Sequence, residues 1–325
     1  MTEPRFYITL PTRGDGARGG RGPAPVPASA VATDLRPGRY GPFDHLAQIA
    51  RAAEIATFHG VLAPFDPAGE ESLVVTAGVL RQNRWLRAVA GFHPGIATPV
   101  YAAKLSASVQ RFSGDRLDWR IEVDLDPATA RAQGDFLRGP DRYARADEFL
   151  TVAKGVWHEE DYTYEGRFFQ VLAGGFAGPL AGSAFPRVHL SGTSEEALDL
   201  SARHADLHVF DLGDDLDALV ADLGGRAAAR GRTVAYGLRL PVLAREDEEE
   251  ARAEAGRRTA AGSPPAGLVG SFGGTAEAIR AYADRGVTAF FLEARPSIEE
   301  TYRLGEQLLP LLTGVAESKE IEHAD

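Results

Sequence analysis

The sequence predicts an α/β fold of eight strand–helix units, a (β/α)8 TIM barrel. Three observations lead there. Short apolar runs alternate with amphipathic stretches along the chain, the pattern of βα units and a parallel sheet. The apolar runs with strand character number eight. A length of 325 residues suits one barrel of about 250 residues plus insertions, as it would suit two ordinary domains.

In chain order, the first strand is "RFYITL" (5–10), aromatic and β-branched as strands prefer. The segment 13–42, rich in Gly, Pro and Arg, follows as a long loop on the functional face; it reads equally as a disordered insertion or a substrate lid. A helical period over 43–58 precedes strands at 60–64, 85–92 and 117–123. A second helix covers 143–157, and "DYTYEGRFFQV" (161–171) alternates around Glu-Gly as a β-hairpin insertion. Strands at 187–192, 206–210, 235–244 and 287–293 complete the set, with helices at 275–286 and 297–312. The segment 257–267 is a shortened loop after strand seven. Residues 1–313 form a single barrel domain in this reading, and 314–325 a polar tail.

Composition excludes several functions. The chain carries a net charge of −11, with 44% hydrophobic and 25% charged residues, which fits a folded globular protein and disfavours nucleic acid as a partner. With no cysteine, disulfides and thiolate chemistry are excluded. No secretion leader or membrane span is legible, so a cytoplasmic protein without a membrane partner is expected. The eight histidines lack metal-ligand spacing, and no metal is expected.

Candidate site residues lie at strand ends. In "HLSGTSEEAL" a strand runs into Ser191, Gly192, Thr193 and Ser194 and a helix starts at Glu195. Backbone N–H groups and hydroxyls at a helix start suit a phosphate, although an ordinary N-cap gives the same pattern. In "YGLRLPVLARE" (236–246) Leu238, Leu240 and Val242 share one face, leaving Arg239 and Pro241 on the other. An inward arginine needs an anionic or polar partner; a bound ligand, Asp211 and Glu293 all qualify. His93, ending strand three, is either a proton carrier or a loop histidine making a turn hydrogen bond. Arg120 and Glu122 share a face of strand four and can form an inward ion pair.

These residues also carry a resemblance. "LPTRGDG", "RYARADEFL", "YEGRFFQV", "LSGTSEEAL", "YGLRLPVLARE", "VGSFGGTAEAIRAYADRGVTAFFL" and "EARPSIEETYRLGEQLLPLL" are similar in order and spacing to the bacterial luciferase-like flavin monooxygenases, in particular the FMNH2-dependent alkanesulfonate monooxygenases. The likeness spans about residues 5–313. It implies a (β/α)8 barrel, FMN delivered as FMNH2 by a separate flavin reductase, oxidation of a small-molecule substrate with O2, and a homodimer joined through helices of early βα units. It also implies roles: Tyr143 and the Ser191–Ser194 turn for phosphate, Arg239 in the active site, and Tyr302 near substrate.

The departures from that family lie in the inner positions. Pro241 stands where those enzymes have a histidine, Gly69 for a cysteine, Arg120 for an asparagine, Gly139 for a histidine and Asp211 for a tryptophan. A substrate other than a standard alkanesulfonate is the simplest implication. Two alternatives accompany it: a deazaflavin-dependent oxidoreductase, and a catalytically degenerate subunit that partners a catalytic paralogue.

Overall fold

The computed structural model describes residues 3–14, 42–260 and 267–313. Most of the 13–42 loop, positions 261–266 of the segment after strand seven, and the tail therefore lie outside the described residues. In chain order the elements are β1 (Arg5–Thr9), α1 (Pro42–Ile55), β2 (Gly60–Ala63), α2 (Ser72–Gln82), β3 (Arg87–Phe92), α3 (Pro99–Ser113), β4 (Leu117–Ile121) and α4 (Pro127–Ala132). Next come α5 (Pro140–His158), the hairpin β5 (Tyr162–Glu165) and β6 (Gln170–Gly174), β7 (Arg187–Ser191), α6 (Glu195–His204), β8 (Leu207–Asp211) and α7 (Leu216–Ala228). The chain continues with β9 (Ala235–Arg245), α8 (Glu248–Ala260), β10 (Leu268–Ser271), α9 (Phe272–Asp284) and β11 (Val287–Glu293). It closes with α10 (Ser297–Arg303), a π-helical turn (Leu304–Leu308) and α11 (Leu309–Leu312).

The hydrogen-bonded strand order is β10-β9-β11-β1-β2-β3-β4-β7-β8, with β9 also paired to β8. That is the order of a closed parallel (β/α)8 barrel. The eight strands expected from the sequence are its staves, and the hairpin stands apart as a two-stranded sheet. One strand was not expected: β10 pairs with residues Val242 to Arg245 of β9. The helix after β9 also runs to Ala260, so residues 257–260 are helical where a loop was expected. Arg and Ala are good helix formers, and they prolong the amphipathic turn.

By contacts the chain divides into two compact units, Met1–Val61 with Gly237–Asp325, and Leu62–Tyr236. In the second unit, Trp119 on β4 shows which way that strand's side chains point. Its indole N–H donates to Ser106 on α3 at 2.8 Å, and its ring meets Phe92, Phe149 and Phe185. Trp119 therefore faces the helices, and by strand alternation Asp118 and Arg120 face the opposite side. Helix ends follow local chemistry: Thr98 caps α3 with Pro99 in its first turn, Asp126 caps α4, and Ser194 caps α6.

In the first unit, β1 and β11 pair in register, stacking Phe6 on Phe290 and Tyr7 on Phe291. The π-helical turn packs against the end of α1 through Gly305. A Cβ there would sit 2.3 Å from the Cβ of Ala56, so only glycine allows this approach. No helix of the described residues is long and apolar enough to cross a membrane.

Candidate functional site

The second unit builds a polar turn where β7 passes into α6. Gly192 adopts φ +109°, a region open to glycine, and an added Cβ would lie 2.9 Å from the Cβ of Ala197. The backbone is thereby folded tightly over the helix start. Ser194 Oγ accepts from the Ala197 N–H at 3.2 Å and donates to the Tyr143 hydroxyl at 3.3 Å. Tyr143 in turn donates to the carboxylate of Asp124. Burial, the Asp124 acceptor and the negative charges of Asp124 and Glu196 push the Tyr143 hydroxyl well above its ordinary pKa. Gly192 and Tyr143 are partly buried, whereas Thr193 and Ser194 are exposed.

Beside this turn lies Arg120, only 8% exposed. Its Nε donates to Glu122 at 2.6 Å and its Nη2 reaches Ser191 Oγ at 3.5 Å. The ion pair expected from the sequence is thus present. Its Nη1 is buried with no hydrogen-bond partner among the described residues.

His93 lies at the end of β3 within a cluster of charged side chains. It is 1% exposed, and both ring nitrogens are engaged: Nδ1 with the Glu122 carbonyl at 2.8 Å and Nε2 with Asp135 at 2.7 Å. Arg145 holds the same Asp135 carboxylate through two contacts, at 3.1 and 2.8 Å. Arg145 and Leu137 N–H hydrogen bonds overcome the cost of burial and hold Asp135 down at about 2. This arrangement ties the end of β3 to the segments after β4 and at the start of α5.

Two other histidines give the unit a pH signature. Burial lowers both His189 and His208 to about 4. In the unfolded chain a histidine titrates near about 6.5, so between those values the unfolded state binds more protons and acid favours unfolding. Stability is complete above the unfolded value and falls as pH drops from about 6.5 towards 4, by on the order of 3 kcal/mol per histidine. Thermal melts between pH 7 and 4.5 should show this loss, and His189→Gln with His208→Gln should flatten the profile.

The first unit carries the remaining candidates. Arg239 on β9 lies 3.6 Å from Glu293 at the end of β11, with 44% of its side chain exposed. Glu293 is one of the partners considered for this arginine. Pro241, two residues on, is partly buried, and so is Tyr302 on α10. Farther along β9, Arg245 is bound by Glu254 at 2.7 Å and Glu300 at 2.8 Å, and Arg258 and Arg303 also reach these carboxylates. Gly69 belongs to a turn between β2 and α2, Gly139 precedes α5, and Asp211 ends β8. Among the described residues no group of three or more His, Asp or Glu side chains is placed to hold a metal ion.

A family model described as luciferase-like monooxygenase matches residues 6–309. The chain belongs to this family. Solved structures agree in fold. EDTA monooxygenase from Chelativorans sp. BNC1 superposes with TM-score 0.79 at 18% identity, covering 96% of this chain and 94% of its own. The oxygenating constituent of 3,6-diketocamphane monooxygenase from Pseudomonas putida, in complex with FMN, gives TM-score 0.70 at 16% identity, over 98% of this chain and 99% of its own. The F420-dependent tetrahydromethanopterin reductase from Methanopyrus kandleri gives TM-score 0.73 at 13% identity, covering 96% and 100%. At such identities the likeness is one of fold. As a luciferase-like monooxygenase, the chain is a flavin-dependent enzyme.

For this luciferase-like chain the β7–α6 turn tests how a flavin tail would fit. Its tight backbone and helix start suit a ligand tail. Beside Asp124 neither hydroxyl is left to donate to a phosphate, because the Tyr143 hydrogen is spent on that carboxylate and the Ser194 hydrogen on Tyr143. Asp124 was not among the residues expected at the site. In sequence it stands in "VDLDP" and reads as a turn residue. Its role follows from Tyr143, 19 positions later.

Proposed function

We propose that this chain is the oxygenase of a two-component system. It takes reduced flavin from a separate reductase and oxidises a small or medium organic substrate with O2. Family membership carries this reading, and the Gly192 turn with Tyr143 and Ser194 supports it as the place for the flavin's tail. FMNH2 is the form the resemblance implies. When bound, a reduced flavin supplies the electrons for oxygen activation. The chain's own residues then have to bind, orient and exclude water.

In this reading the substrate is not a standard alkanesulfonate. Arg239 already has a carboxylate neighbour in Glu293 at 3.6 Å, which an incoming anion would have to share or displace. Pro241 can neither donate nor accept a proton through its side chain, unlike the histidine of alkanesulfonate monooxygenases. The experiment is an anaerobic fluorescence titration of the purified chain with reduced flavin and with a reduced deazaflavin, followed by oxygen mixing with candidate substrates. Preferential binding of reduced flavin, with no sulfite released from alkanesulfonates, is the expected result. Preference for the deazaflavin would instead favour a deazaflavin-dependent oxidoreductase, in line with the F420 dependence named for the Methanopyrus kandleri reductase. No binding of either would favour the non-catalytic partner subunit.

The partner proposed for assembly is a second copy of the chain. Along α2 and α3, Val74 is 70% exposed and Phe112 78%, with Tyr101 and Leu105 also open to solvent. A groove of about 600 Å³ lined by Leu73, Val74, Ala77, Tyr101, Leu105 and Val109 runs between these helices. An apolar face that two copies can share is self-complementary about a twofold axis. Light scattering should give a dimer for the native chain, and Val74→Glu with Phe112→Glu should give a monomer with an unchanged circular dichroism spectrum.

A further inference from the structure

The hydrogen bonds at the β7–α6 turn have a direction. A carboxylate only accepts, so the Tyr143 hydroxyl must give its hydrogen to Asp124, and Ser194 must then give its hydrogen to Tyr143. The Ser194 oxygen also accepts from the Ala197 N–H. Both hydroxyl hydrogens are therefore consumed inside the protein. The Asp124 carboxylate offers a ligand only acceptor lone pairs. Its Oδ2 lies 3.7 Å, and the Tyr143 hydroxyl 3.8 Å, from the position a Gly192 Cβ would take, so the carboxylate stands over the turn where a ligand tail would approach.

The charges agree with the hydrogen bonds. Glu195 and Glu196 occupy the first turn of α6, and the negative charge of Glu196 acts on the Tyr143 hydroxyl, as that of Asp124 does. A dianionic phosphate there would meet like charge, and the carboxylate on Tyr143 already takes the place of an anion. Arg120 does not reverse this balance, because Glu122 is bound to it at 2.6 Å. Its buried Nη1 nevertheless needs an acceptor, since an unmet buried donor is costly. The Nη2 of the same guanidinium reaches Ser191, at the start of the turn. The backbone N–H groups at the start of α6 would donate to either kind of tail and by themselves favour an anion; the carboxylates at the turn act against that preference.

A complementary ligand brings hydroxyl donors to the Asp124 end and a neutral oxygen acceptor to the Arg120 end. We propose that this turn takes a phosphate-free polyol tail, the ribityl chain of a riboflavin-type flavin, whose terminal hydroxyl donates to Asp124. This rests on the reading of the chain as a flavin-binding protein. The flavin delivered to it is then the dephosphorylated form in preference to FMN, and Asp124 is the residue that selects it.

The test is a pair of titrations of the full chain with riboflavin and with FMN, each oxidised and anaerobically reduced, on the native protein, Asp124→Asn and Asp124→Ser. Circular dichroism establishes that each variant is folded; the serine variant replaces the asparagine one if that does not fold. The proposal expects riboflavin to bind about tenfold more tightly than FMN in the native chain. It also expects removal of the carboxylate to tighten FMN by about tenfold while leaving riboflavin equal or weaker. FMN binding more tightly than riboflavin to the native chain would overturn it, as would an equal effect of the substitutions on both ligands. Absence of binding by either flavin to the folded native chain would remove the flavin-binding reading itself, a result distinct from either of those.

Discussion

Glu300→Ala should destabilise the chain by about 3–5 kcal/mol, the usual cost of removing one member of a buried ion pair. Glu300 is 1% exposed and receives Arg245 at 2.8 and 3.1 Å. Arg303 adds a further contact. Arg245 is itself only 5% exposed, so it would lose half its carboxylate neighbours without gaining water. Urea unfolding at pH 7 reads this as a lower midpoint with an unchanged slope. Glu254 gives the network a second signature. Arg245 and Arg258 overcome the cost of its burial and hold it at about 2. The folded value lies below the unfolded one, so its contribution is present above about 4.3 and is lost as pH falls towards 2. Replacing Arg245, Arg258, Glu254 and Glu300 together with apolar residues of similar volume should cost far less than Glu300→Ala, because the one cation left without these carboxylates, Arg303, is 40% exposed.

Gly192→Ala should damage flavin binding more than any other single methyl added near the turn. Its φ of +109° disfavours any side chain, and the new Cβ would be forced to within 2.9 Å of Ala197. Backbone strain of this kind costs about 1–3 kcal/mol. The turn can relieve it by shifting away from the start of α6, which moves Ser194 and weakens its contact with Tyr143. Titration with reduced flavin should show affinity lower by about tenfold or more. Thr193→Ala, at an exposed neighbouring position without a strained backbone, should change affinity far less. Equal effects of the two substitutions would show that the turn does not hold the ligand.

The barrel was legible in the sequence because strands buried within a parallel sheet read as apolar runs, and turns punctuate them. β1, β4, β9 and β11 lie where the periodicity puts them. β10 escaped because "LVGS" is four residues long, contains a glycine, and is fixed by pairing with β9. Site residues were legible only where local chemistry fixes them. The Ser191–Ser194 turn announces itself by a strand running into an N-cap, and Arg239 by the face it shares with Pro241. His93 could be placed at a strand end, but its burial depends on Asp135 and Arg145, which lie 42 and 52 positions away. The distance in sequence hides such a cluster. Asp124 was hidden for the same reason.

The hydrogen-bond chain from Ser194 through Tyr143 to Asp124 has one terminus that fixes its polarity. An aspartate becomes an asparagine by a single base change, and an asparagine amide can give a hydrogen as well as take one. That substitution frees Tyr143 to turn its hydroxyl outwards without repacking any apolar side chain. In evolutionary terms the tail preference of this turn is thus separable from the stability of the barrel, and a lineage can alter one while inheriting the other intact.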